Sequence, residues 1–207
     1  MHIPDGFLST PVWVGMWLIT LVIVGYALRK TRGRLSEKHI PLMGVLAAFV
    51  FAAQMLNVPV AGGTSGHMLG GVLTASLLGP WSATIVMSSV FVVQALLFQD
   101  GGITTLGANI FNMGLIGTIF GYYLYVSLSK FIPKIISAGI AAWIAVVLAS
   151  AFCALELGLS GTVPLKTAMV AMVSIHTLIG LIELGITMGV LGVIMKRRPD
   201  LMEIEKV

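Results

Sequence analysis

Seven stretches of the chain lose almost all their polar residues, and short polar segments separate them. They cover about residues 11–28, 41–57, 66–79, 81–98, 105–128, 134–155 and 167–195. A helix needs roughly 20 apolar residues to cross the hydrocarbon of a bilayer, within a range of about 17–25. The pattern therefore predicts an all-α integral membrane protein of about seven transmembrane helices. The stretch 167–195 is long enough to tilt or to leave the lipid. The stretch 66–79 is too short to span unaided, and its approach, AGGTSGHMLGG, is rich in glycine. Irregular backbone is costly against lipid, so this approach is expected to be buried in protein or to line a cavity.

Composition agrees with this class. Of 207 residues, 57% are hydrophobic and 10% are charged, against about 25% charged in soluble domains. The mean hydropathy is +1.02. The single cysteine, Cys153, lies within an apolar run, which excludes an intramolecular disulfide and a thiolate metal cluster.

The formal charge of +4 matters less than where it sits. Basic residues concentrate in cytoplasmic loops. With the N-terminus outside, Arg29, Lys30, Arg32, Arg34 and Lys38 fall inside after the first span. Lys130 and Lys134 fall inside after the fifth, and Lys196, Arg197, Arg198 and Lys206 after the seventh. Only Lys166 is left outside, so the expected topology is N-terminus out and C-terminus in. The expected organisation is one transmembrane domain over 1–207, with an extracellular N-terminal segment at 1–10 and a short cytoplasmic tail at 196–207. The outer side then receives the opening MHIPDG, the loop from Asn57 to His67, the turn FQDGG and the loop from Glu156 to Lys166.

That opening is a poor signal peptide: Pro4 and Asp5 stand where a basic region belongs, and RKTRGR rather than a small-residue cleavage site follows the apolar run. The bulk of His2 also disfavours removal of Met1, so a free amine on Met1 is expected. Met1 and His2 together offer three nitrogens. The amine and the His2 amide close a five-membered chelate ring, and the amide and Nδ1 of His2 close a six-membered one. Three corners of a square are filled, and His67 is the candidate for the fourth. Square-planar nitrogen sites favour Ni(II) or Cu(II). Asp5, Asn57, Ser65, Gln99 and Asp100 are candidate partners that hold these ligands from behind.

The other histidines read differently. His39 is expected to be a solvated loop residue. His176 lies within the last span, with Glu183 two turns further on, about 10 Å away at 1.5 Å per residue. That is too far for a shared metal. Ionisable groups inside a span are functional candidates by default, and a packing hydrogen bond is the alternative role for both. The small-residue pairs Gly117–Gly121 and Gly185–Gly189 are expected to pack helices closely, within the chain or against another subunit.

Four segments carry a family signature: MHIPDGFL, NVPVAGGTSGHMLGG, GPWSATIVMSSVFVVQALLFQDGGITTLGANIFNMG and HTLIGLIELGIT. From residue 1 to about 195 the chain resembles the CbiM/NikM family. Its members are the substrate-specific (S) components of energy-coupling factor (ECF) transporters for cobalt and nickel. The resemblance implies a seven-helix protein of a prokaryotic cell membrane, with no enzymatic activity of its own. It would capture Ni²⁺ or Co²⁺ as transported substrate, in some cases for cobalamin biosynthesis. It implies Met1, His2 and His67 as the metal ligands. The implied partners are an EcfT-type transmembrane coupling subunit, two cytoplasmic ABC ATPase subunits and a separate small accessory membrane subunit. The sequence has no G-x-x-x-x-G-K-[ST] stretch, so the resemblance assigns ATP hydrolysis to those partners.

Two other classes compete. A stand-alone divalent-metal channel or secondary carrier would need an inner pathway, where Glu183 is the only acid, and no inverted repeat is evident. A membrane metalloenzyme would need an open coordination position, which a closed four-nitrogen square lacks.

Overall fold

The structure, a computed structural model, describes residues 1–33, 35, 37, 39–56, 58–60 and 64–206, with only the backbone considered at 58–60, 64–65 and 203–206. Arg34, Lys38 and Asn57 lie outside the described residues, and Ser65 is described by its backbone alone. Helix α1 spans Thr10–Thr31, α2 His39–Gln54 and α3 Gly71–Leu97. The next span is composite. Helix α4 (Leu106–Asn109) leads into a π-helical stretch, Ile110–Phe120, and then α5 (Gly121–Leu128). Helix α6 is Lys134–Leu159, α7 is Leu165–Arg197, and a 3₁₀ stretch follows over Pro199–Lys206. Pro11 sits in the first turn of α1, where no amide donor is needed. Arg29 and Lys30, and Lys196 and Arg197, end α1 and α7 where cations suit the carbonyl end of a helix.

Among the described residues, five stretches are long and apolar enough to cross a membrane: Thr10–Thr31, Gly71–Leu97, Leu106–Leu128, Lys134–Leu159 and Leu165–Arg197. His39–Gln54 is apolar but shorter. Large apolar side chains such as Leu18 and Val22 on α1 and Leu178 and Ile182 on α7 are exposed. Such outer faces suit lipid rather than water. The chain is a multi-pass membrane protein.

As the hydrophobic pattern at 66–79 and 81–98 predicts, α3 is two helices in succession, broken at Gly79. Gly79 takes φ +74° and ψ 163°, a conformation open to glycine, and Pro80 opens the second arm. The two arms fold back on each other. Gly71 lies so close to Gly117 that an added Cβ would sit 2.8 Å from its Cα. Thr84 bonds Thr118, the next residue, at 2.8 Å. In an unbroken helix Gly71 and Thr84 would stand about 20 Å apart. Here they meet one turn of the π-helical stretch. The arms of α3 line the core, with Leu73, Leu77, Met87 and Phe91 buried against Met113.

The described end of the glycine-rich approach is buried in protein: residues 66–70 are all shielded and 67–70 have no regular structure. Before it, Val58–Val60 pairs antiparallel with Thr64–Gly66, a small ladder that the all-helical expectation did not include. Of the two small-residue pairs, Gly117 and Gly121 pack internally, against Gly71 and Val72. At Gly185 and Gly189 a Cβ would meet nothing within 4 Å among the described residues. His39 is buried at the start of α2 rather than solvated.

Candidate metal site

The first eight residues are tied into the helical bundle at almost every step. Asn109 grips Ile3 at both ends: its Oδ1 accepts from the Ile3 amide at 2.8 Å, and its Nδ2 donates to the Ile3 carbonyl at 3.1 Å. The same carbonyl accepts from the Gly102 amide at 2.9 Å and the Thr105 hydroxyl at 2.5 Å. Asp5 accepts from the Ile103 and Thr104 amides at 3.0 and 2.7 Å, and from the Thr104 hydroxyl. That hydroxyl is the main reason its carboxyl lies below the usual range. Gly102 must be glycine here, because a Cβ would run into Asp5. Thr162, beyond α6, donates to the Phe7 carbonyl. A terminal strand docked this fully is ordered, unlike most chain ends.

The docking buries Met1 and aims His2 inward. The His2 ring stands with its centroid 4.8 Å from that of His67, tilted by 55°, and packs edge-on against Phe91 at 5.8 Å. The Nδ1–H of His67 donates to the Met68 carbonyl at 2.8 Å, which leaves Nε2 as the nitrogen with a lone pair. That buried Nε2 has no partner, and neither does Nε2 of His2. Such orphaned acceptors are uncommon in an interior. No described residue accepts from the His2 amide. The Cys153 thiol lies 3.9 Å from the Met1 carbonyl. Among the described residues, no three His, Cys, Asp or Glu side chains gather as a metal cluster. A metal in this place would therefore need main-chain nitrogens as well.

Protonation favours such a use. Burial pulls the Met1 amine and the His2 ring below their ordinary values. Burial, reinforced by the neighbouring amine and His2, pulls His67 well below its own. Neutral nitrogens are what a metal requires. Asp100 stands 2.5 Å from Nδ1 of His2, an ion-pair distance without hydrogen-bond alignment. Burial pushes its carboxyl up, but the His2 ring and the other nearby bases outweigh this and hold it below the usual range.

Of the expected supporting residues, Asp100 meets a ligand directly. Asp5 acts at one remove, by pinning the terminal segment. Gln99 is exposed on the rim with φ +56° and does not meet the site. His176 is buried, its Nδ1 donating to the Met172 carbonyl at 2.7 Å and its Nε2 without a partner. Glu183 holds the amides of Leu69 and Gly70, close to His67. Asn109, Thr104, Thr105, Cys153 and Thr162 were not found from sequence. Asn109, a polar residue inside an apolar run, carried the only available signal.

The chain matches, over residues 2–201, the CbiM family, described as "Cobalt uptake substrate-specific transmembrane region". The chain belongs to the CbiM family. This CbiM-family chain is 42% identical, over 98% of its length and 68% of the relative's, to a putative fused nickel transport protein NikMN of Archaeoglobus fulgidus. It is 34% identical to the cobalt transport protein CbiM of Sorangium cellulosum, covering 98% of this chain and 95% of that one. A crystal structure of a truncated transition metal transporter superposes with a TM-score of 0.89 at 35% identity, covering 95% of this chain and 99% of that chain.

Proposed function

We propose that this CbiM-family protein captures Ni²⁺ or Co²⁺ at the outer face of a prokaryotic cell membrane. It delivers the ion inward as the substrate-binding component of an ATP-driven ECF transporter. The reading takes its substrate class from relatives described as nickel and cobalt transport proteins. The observation that carries it is the convergence of the Met1 amine, His2 and the lone-pair nitrogen of His67 in one buried place.

In this reading the ion takes the Met1 amine, the His2 amide, Nδ1 of His2 and Nε2 of His67. The amide gives up its proton, and the two fused chelate rings fix three corners of a plane. Nδ1 of His2 faces Asp100 in the structure, so the ring turns away from that carboxylate as the ion enters. The dication gains the nearby negative charge of Asp100 without being ligated by it. The topology that suits this role has seven crossings, the two arms of α3 counting separately. The N-terminus is outside, as the distribution of Lys and Arg favours. Energy comes from an EcfT-type coupling subunit and two ATPase subunits, assisted by a small accessory membrane subunit.

The test is the absorption spectrum of purified protein titrated with Ni²⁺ against a competing chelator. The expected result is one equivalent of Ni²⁺ and a yellow square-planar band. Six-coordinate, pale-green Ni²⁺ would contradict the site.

A further inference from the structure

Glu183 and the turn that bears His67 are far apart in sequence and joined in space. Oε2 of Glu183 accepts from the Leu69 amide at 2.7 Å, and Oε1 from the Gly70 amide at 2.8 Å. The carboxylate is buried at 1% exposure. It faces the end of α3 where amides lack helical partners, a place that suits an anion. The turn is held from other sides too. Gln54 of α2 donates to the Leu69 carbonyl at 2.8 Å, and Gln94 of α3 donates to Gln54 Oε1 at 2.8 Å. Gly70, at φ +78°, lies against Val50 with no room for a Cβ. A cleft of about 200 Å³ between α2 and α7 is lined by both His67 and Glu183. The turn therefore spans a gap in the helix packing and relies on these polar holds for its position.

We infer that Glu183 is a positioning residue for the metal site: by holding the Leu69 and Gly70 amides it fixes the turn that presents the His67 ring to His2. This rests on the proposed reading that His67 is a ligand. Two consecutive N–H donors need two acceptor oxygens. Glutamine offers one, and sets an NH₂ against the other donor. Glu183→Gln keeps the size and removes the hold. The α7 helix, which packs along α6, is thereby linked to one ligand of four, while the segment that carries Met1 and His2 is held separately, through Ile3, by Asn109 and the 102–105 turn.

The experiment uses the full chain and Ni²⁺ alone, and reads affinity by chelator competition and the number of bound imidazoles by X-ray absorption. Wild type should show two imidazoles. Glu183→Gln should show one, with affinity reduced about 10–100-fold, the usual range for a residue behind a ligand. The double variant Glu183→Gln/His67→Ala should bind no more weakly than His67→Ala, because both remove the same ligand. Two imidazoles and wild-type affinity in Glu183→Gln would overturn the inference. So would losses that add in the double variant, as a general loosening of the fold would give. If Glu183→Gln does not fold by circular dichroism, Gln54→Leu tests the same hold from α2. A smaller loss in the same direction supports the inference, and unchanged affinity overturns it. Wild-type binding by His67→Ala would instead overturn the metal site itself, together with this inference.

Discussion

Asn109 closes a two-bond ring with Ile3, its Oδ1 and Nδ2 taking the amide and carbonyl of one residue as a neighbouring strand would. The pair lies one residue beyond His2, so it sets where the chelating residues point. Asn109→Leu removes both bonds; the Ile3 carbonyl keeps Gly102 and Thr105 as donors, while the Ile3 amide loses its acceptor, at roughly 1–3 kcal/mol. Ni²⁺ affinity should fall about 10–100-fold while the helical circular dichroism is retained. Unchanged affinity in a competition titration would show that the terminal segment is held well enough without Asn109.

Proton release on binding reports the resting state of the nitrogens. The Met1 amine and His2 titrate below their ordinary values of 8.0 and 6.5 because of burial, and His67 lies well below 6.5. A group with a lowered pKa is already neutral at a pH where its free counterpart holds a proton. Binding near pH 9, above all three ordinary values, should thus release about one proton, that of the His2 amide. Affinity should fall with acidification only as pH drops below each group's ordinary value. Calorimetry in buffers of different ionisation enthalpy measures the count. Two or more protons would mean that the amine is charged at rest.

Asp100 raises the pKa of both the amine and His2, against the larger effect of burial. In Asp100→Asn that upward pull disappears, so proton competition should weaken. The acid limb of the binding profile should then move to lower pH. At pH 8, where protons no longer compete, affinity should instead fall about tenfold through loss of the nearby negative charge. A profile that moves to higher pH would contradict the placement of Asp100 beside the ligands.

The fold-back of α3 rests on the contact between Gly71 and Gly117. Gly71→Ala forces a Cβ into the Gly117 backbone, and overpacking of this kind costs roughly 1–3 kcal/mol. Gly185→Ala meets open space and should leave stability unchanged or slightly raised. Thermal unfolding in detergent compares the two. Equal midpoints would remove the case for a tight crossing.

The apolar runs predicted the helix boundaries closely, because length and hydropathy are local properties of the sequence. The break between the third and fourth runs falls where Gly-Pro places it, at Gly79. The runs do not show that these two helices double back, with Thr84 meeting Thr118 beside Gly71 and Gly117. At the candidate site, Met1, His2 and His67 were legible from their donor chemistry and their family resemblance. Asp100 was legible as a nearby acid. The roles of Asn109 and Glu183 were not. Each acts on backbone groups more than a hundred residues away, and a backbone amide leaves no mark in the sequence to say who will receive its hydrogen. Gln99, next to Asp100, is exposed, with a left-handed backbone at φ +56°.

The central claim is that the chain's own amine is a metal ligand. The most direct measurement is Ni²⁺ affinity, by chelator competition, of a protein carrying one extra residue before Met1. The extension converts the amine into an amide and places a residue in a buried position. The account predicts loss of the square-planar band and a fall in affinity of 100-fold or more, roughly 3 kcal/mol. Wild-type affinity with an unchanged band in the extended protein would contradict it.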